Sequence, residues 1–382
     1  MENAKWRVGR LLVDPWVALR NVSYQNNLTE TPELNDSSSD RISDFTASVG
    51  AGLNTYMTLG SDFIWGTFLL PEYVWWQDLE DRRRLNGRYG TGLFGSLGRV
   101  GVEATASRSE QLSVFSIEVD QPFNLQTDQA LLDLTVDLGR GVLVFARGEE
   151  NRFRSLERSG FELLSGLDRD ETTYSAGVGF SSTRGFRLGL GFEQTSSDFL
   201  PSALDRSNDG SAVFVDLHYD GPLVKLAALV ADRSLEPKAG SEFQAFDGTT
   251  ASASVSFRAS GPVWVDFFGR RNLSYSLQQT VAYIENNAVG AALSTALGSR
   301  ARLRAFYEQG DSSFVEEPQS SVGRVDDRTS VGASLNFDLG RLSLSLTALQ
   351  TDYDSNFSEN DRQVTRFATS LAIGRRRSSP WG

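Results

Sequence analysis

Apolar and polar residues alternate one by one along almost the whole chain, and this limits what it can fold into. From Ser330 to Leu339, the residues Val331, Ala333, Leu335, Phe337 and Leu339 fall on one face. Ser330, Gly332, Ser334, Asn336 and Asp338 fall on the other. Successive side chains of an extended strand point to opposite sides, so this segment has one apolar and one polar face. After Gly340 and Arg341 the pattern resumes, with Leu342, Leu344, Leu346 and Ala348 set against Ser343, Ser345 and Thr347. It recurs at Ala251, Ala253, Val255 and Phe257, at Ala130, Leu132, Leu134 and Val136, and at Ala301, Leu303, Ala305 and Tyr307. A period of two is the signature of half-buried strands, not of helices.

The connections are ordered too. Tight turns are expected near Gly60-Ser61, Gly98-Arg99, Gly139-Arg140, Thr183-Arg184, Asp220-Gly221, Ser260-Gly261, Gly298-Ser299 and Gly340-Arg341. They recur every 37–45 residues or so, roughly the length of one long hairpin. Longer polar connections lie between them, as at Asn26–Arg41 and Asn151–Asp170. Between residues 13 and 376 this spacing gives about 18 antiparallel strands. The expected fold is all-β: a single transmembrane, up-and-down antiparallel barrel with short periplasmic turns and long extracellular loops. Residues 1–12 are expected to form an N-terminal periplasmic segment and 377–382 a C-terminal tail. Pro71 interrupts one strand and predicts a bulge or a local break in its ladder.

Composition narrows the functions. The 382 residues include no cysteine and one histidine, His218. That excludes disulfides, thiol nucleophiles and multi-histidine metal centres. The net charge of −12 disfavours a nucleic-acid partner, since phosphate binding needs clustered Lys and Arg. His218 stands two residues from Asp216, but no serine motif accompanies the pair. No catalytic residue, metal or cofactor is therefore assigned. The start, Met1-Glu2-Asn3-Ala4-Lys5, has no apolar core of a signal peptide; the expectation is that one has been removed.

A soluble barrel would turn its apolar face inward. About 18 strands enclose a space wider than side chains can fill, so here the polar face is expected to line a wet lumen and the apolar face to meet lipid. The lumen charges are then Arg88, Asp133, Asp137, Arg147, Arg187, Asp216, Arg258, Asp266, Arg302, Arg304, Arg328 and Arg366. The lumen aromatics are Trp16, Phe94, Phe214, Trp264, Phe268 and Phe306. Rings facing water invite stacking on the C–H faces of sugars. On one strand, Phe63 and Trp65 share a face with Tyr73 and Trp75 ten residues on. At a strand tilt of about 40° that is a climb of roughly 25 Å, the height of an apolar band between two aromatic girdles.

The stretch from Val13-Asp14-Pro15-Trp16 through Tyr24-Gln25-Asn26-Asn27 resembles the opening strand of the beta-barrel porin 2 family, with Tyr24 and Asn27 matching and Gln25 and Asn26 departing from it. Length, strand count and hairpin spacing agree with that family over the whole chain. The resemblance implies a bacterial outer-membrane barrel, inserted by the barrel-assembly machinery and often associated with exopolysaccharide export. The leading expectation is therefore an exit channel for secreted polysaccharide, with periplasmic export components as partners. The alternatives are a general diffusion porin for small hydrophilic solutes and a structural or adhesive barrel with a plugged lumen. One departure from the usual pattern is the end of the chain, Arg375-Arg376-Arg377 to Trp381-Gly382, where such barrels close on an aromatic residue.

Overall fold

The computed structural model describes residues 6–25, 44–116, 119–156, 162–182, 185–200, 205–241, 243–278, 281–316 and 323–373. The Thr183-Arg184 turn, the arginines 375–377 and the tail 377–382 lie outside them. Eighteen long strands form one closed antiparallel barrel. A short strand β1 (Trp6–Val8) precedes them. The barrel strands are β2 (Leu11–Gln25), β3 (Asp44–Leu59), β4 (Phe63–Trp76), β5 (Arg84–Leu97), β6 (Val100–Ser116) and β7 (Val119–Gly139). Next come β8 (Val142–Ser155), β9 (Arg169–Ser181), β10 (Phe186–Phe199), β11 (Asn208–Asp220), β12 (Val224–Pro237) and β13 (Phe246–Ser260). The last six are β14 (Val263–Ser274), β15 (Val281–Leu297), β16 (Ala301–Glu316), β17 (Val325–Asp338), β18 (Leu342–Ser355) and β19 (Arg362–Ile373). Each pairs with the next in the chain, and β19 closes on β2 through pairs such as Ile373↔Val17. Among the described residues no helix is long and apolar enough to cross a membrane.

The short turns use glycine where the backbone must turn left-handed, as at Gly98 (φ 60°) and Gly340 (φ 84°). Inside and outside follow from contacts between strands two apart. Arg270 on β14 reaches Glu308 on β16, and Arg233 on β12 reaches Glu193 on β10. Only the concave face of a cylinder brings alternate strands together this way. The opposite parity is outward, and its apolar side chains stand uncovered: Leu190 is 51% exposed, Phe192 52% and Phe267 51%. Such a surface is stable against lipid, not water, and closure leaves no edge with unpaired backbone groups.

Three local features differ from the expectations or sharpen them. Residues 6–12 are not set apart from the barrel: Trp6, Arg7 and Val8 pair with Val13, Leu12 and Leu11 across a left-handed Gly9. The ladder of β6 and β7 continues to Ser116↔Val119, with a shift of register between Val114 and Ser116. Val114, Phe115 and Val119 are strand formers, which favours continued pairing. At Pro71 the pairing with β3 lapses between Gly50↔Glu72 and Leu53↔Leu69, with the register unchanged. Pro71 is accommodated by a local break, not a bulge.

Candidate functional site

Parity carries the polar face inward, and cross-strand register then aligns it into rows. All twelve predicted charges and all six predicted aromatics fall on the inward parity. The register chain shows this directly, for example Arg258↔Trp264↔Ser294↔Arg304↔Ser334. Phe63, Trp65, Tyr73 and Trp75 fall on the outward parity; Trp75 stacks edge-on with Phe45, and the Arg83 guanidinium lies 5.5 Å from its ring centre.

The charges do different things. Arg187 donates to Asp216 at 3.0 Å, so the carboxylate beside His218 is already engaged. Arg147 stands directly opposite Asp133 yet bonds Glu149 at 2.5 Å. Asp133 accepts from the Thr135 hydroxyl at 3.2 Å, and Asp266 from the Ser294 hydroxyl at 3.3 Å. Asp137 serves its turn, accepting the Gly139 N–H at 2.7 Å. Arg328 and Arg270 both grip Glu308, a carboxylate that the wall buries to 9% exposure; the Arg270 bonds are 2.8 and 3.1 Å. Trp264 sits between two cations, with Arg258 5.4 Å and Lys225 5.9 Å from its ring centre. Arg88 is paired across to Leu70 and Ser109, and Arg366 to Leu349.

Arg302 and Arg304 differ from the rest. Both are exposed to the lumen and make no ion pair or hydrogen bond among the described residues. Their neighbours across the sheet are Ala296, Ser294, Asn336 and Ser334, none of them charged. Arg302 lines a cavity of about 490 Å³ together with Arg20, Asn336, Ser345 and Ser370, near the short-turn end. This stretch of wall offers two arginines without an ion-pair partner and a row of hydroxyls and amides, with the carboxylate of Asp338 on the same cavity.

The lumen aromatics share one construction: each of several rings lies over a glycine on the adjacent strand. The register pairs Trp16 with Gly52, Phe68 with Gly90, Phe214 with Gly191, Phe268 with Gly290 and Phe306 with Gly332. A methyl group on any of these glycines would meet the ring. Phe145 does the same over Gly177. Phe94 faces Ile64 and Glu103 instead.

At the long-loop end the connections pack into the mouth. Buried Arg206, before β11, donates to the carbonyls of Ser276 and Gln278, between β14 and β15. The Tyr275 hydroxyl accepts from Asn208 at 3.0 Å and donates to Ser197 at 3.1 Å. Burial, with Glu171 nearby, pushes the Tyr275 phenol above its usual range and keeps it neutral. Phe199 and Phe243 pack on its ring, and Arg169 lies 5.0 Å from its centre. Beneath it, a cavity of about 650 Å³ is lined by Phe153, Glu171, Glu193, Arg233, Thr250 and Tyr283, among others. Parity could have found Glu149 and Arg233 on the inner face. Tyr275, Arg206 and Arg169 are placed by loop packing, for which the sequence carries no periodic signal.

No sequence-family model and no curated protein matches the chain. Solved structures match its fold over nearly their full length. A BenF-like porin from Pseudomonas fluorescens Pf-5 has 12% identity, with 95% of this chain and 98% of that one covered, at a TM-score of 0.56. The outer membrane protein opdK from Pseudomonas aeruginosa has 10% identity, the same coverage and a TM-score of 0.58. Pseudomonas aeruginosa OccK2 (OpdF), in complex with glucuronate, has 10% identity, 95% and 98% coverage, and a TM-score of 0.57. The fold is thus that of outer-membrane porins. None of these likenesses supports the expected tie to exopolysaccharide export.

Proposed function

We propose that the protein is an outer-membrane channel through which small hydrophilic solutes diffuse, with anions favoured at the short-turn end. The observation that carries this reading is the pair Arg302 and Arg304, which make no ion pair among the described residues and have only uncharged partners across the sheet on either side. A field of one sign at a low-dielectric wall concentrates the opposite ion. The likeness to porins, one of them solved with glucuronate, supports small solutes over a polymer. On this reading Phe63, Trp65, Tyr73 and Trp75 are the girdles at the two membrane interfaces, and the lipid bilayer and the barrel-assembly machinery are the partners. The test is the reversal potential in a planar bilayer under a salt gradient. The wild type should prefer chloride, and R302A/R304A should lose most of that preference at unchanged barrel stability. A folded barrel that passes no current overturns the channel; an unchanged reversal potential in the double variant overturns the role of the two arginines.

A further inference from the structure

One row of the lumen wall is built unlike the others. Phe145 on β8, Gly177 on β9, Gly191 on β10 and Phe214 on β11 are consecutive partners across the sheet. Three strand spacings put the outer two backbones about 14 Å apart. Their rings are nevertheless 6.2 Å apart between centres, inclined at 42°. Both side chains therefore lean over the two glycines toward each other. A methyl group on Gly177 would come 2.6 Å from the Phe145 ring, and one on Gly191 2.5 Å from the Phe214 ring. Two rings laid down on a glycine floor make a shallow aromatic tray facing the lumen. It lies in a cavity of about 690 Å³.

The rim of the tray carries donors and acceptors in balance. On the mouth side the next row holds Arg147, Ser175 and Glu193, with Arg233 bonded to Glu193 at 2.6 Å. On the other side Asp216 follows Phe214 on the same strand and accepts from Arg187 at 3.0 Å. Each of these guanidiniums is already paired with a carboxylate, so an anion entering here would meet Glu193 and Asp216 as well. A neutral ring bearing hydroxyls has no such conflict. Its hydroxyls can donate to the carboxylates and accept from the guanidiniums, while an apolar C–H face rests on the phenyl rings.

We propose that the Phe145–Phe214 tray is a stacking site for a neutral pyranose ring, a sugar subsite on the wall away from Arg302 and Arg304. The proposal rests on the channel reading for access but names a separate site. Saturation-transfer NMR on the intact barrel in detergent tests it, with methyl glucopyranoside as probe and sorbitol as the open-chain control. The glucoside ring protons should receive saturation and those of sorbitol should not. F145A/F214A should bind about tenfold more weakly, the loss expected for two ring contacts. F214L, which keeps bulk without a flat face, should also lose binding, and F306A on the other wall should not. Equal transfer to sorbitol, or full transfer in the folded F145A/F214A and F214L variants, overturns the tray. Current without glucoside contact overturns the tray alone. Glucoside contact without current supports the tray and overturns the channel.

Discussion

The indole of Trp16 on β2 lies flat over Gly52 on β3, its direct partner across the sheet, and the three atoms nearest to a methyl group built on Gly52 all belong to that ring. The glycine is there for space, not for backbone freedom. G52A should therefore lift the indole off the wall. Overpacking of this kind costs about 1–3 kcal/mol. The expected outcome is a lower urea midpoint and a red-shifted tryptophan emission as the ring moves into the wet lumen. The conservative control is G269A, where an added methyl group meets only ordinary contacts at 3.5 Å; its midpoint should move much less.

Glu308 holds two arginines from different strands, and its removal leaves both guanidiniums facing each other in a partly covered wall. E308Q should lower the unfolding free energy by about 1.5–3 kcal/mol, the range for bonds to a charged partner. Heat-modifiable migration on gels reports this as a lower temperature of barrel opening. Because Arg328 is then unpaired, the same variant should shift the reversal potential further toward anions. A drop in stability with no electrical change would separate the structural role of the clamp from its place in the conduction path.

The mouth is tied by Arg206, which bonds the backbone between β14 and β15 from the loop before β11. R206A removes that tie without touching a barrel strand. Limited proteolysis on intact cells should then cut the β14–β15 connection faster, while the global unfolding midpoint stays nearly constant, as expected when only a local segment loosens. Y275F, losing its bonds to Asn208 and Ser197, should give a milder version, with a local cost of about 1 kcal/mol.

Asp168, in the connection before β9, accepts the Ser155 N–H at 2.6 Å, yet burial, its largest influence, raises its carboxyl above the ordinary range. A raised carboxylate favours the protonated fold. Its stabilising contribution is full below the unfolded value of about 3.9 and is lost as pH rises through the folded value. D168N keeps an acceptor for Ser155 and cannot titrate. Plotted against pH from about 3 upward, the difference in unfolding free energy between wild type and D168N should fall and then level off. A flat difference would contradict the burial.

Much of this was legible in the residues themselves. Alternation such as Val331, Ala333 and Leu335 against Ser334 and Asn336 carries strand, face and lumen membership at once, because a period of two is a local property. What parity cannot carry is register, which is set by the whole sheet. Arg147 faces Asp133 across the ladder and still bonds Glu149. The glycine floors under Trp16 and Phe214 exist only once β2 meets β3 and β10 meets β11. Bulges also reset parity: past the irregularity between Arg20 and Ser23, where Asn21 has φ 51°, the inward residues of β2 change from even to odd numbers. The polysaccharide expectation rested on family likeness, to which none of these contacts speaks.

Among the described residues the seam between β19 and β2 is the shortest ladder of the cylinder, seven partners with a slip between Thr369 and Leu371, against twelve between β18 and β19. Until those seven pairs form, the first and last strands are bare edges, and bare edges recruit other chains. The seam is thus a clasp: it joins the first and last long strands of the chain, and the cylinder is closed only where it holds.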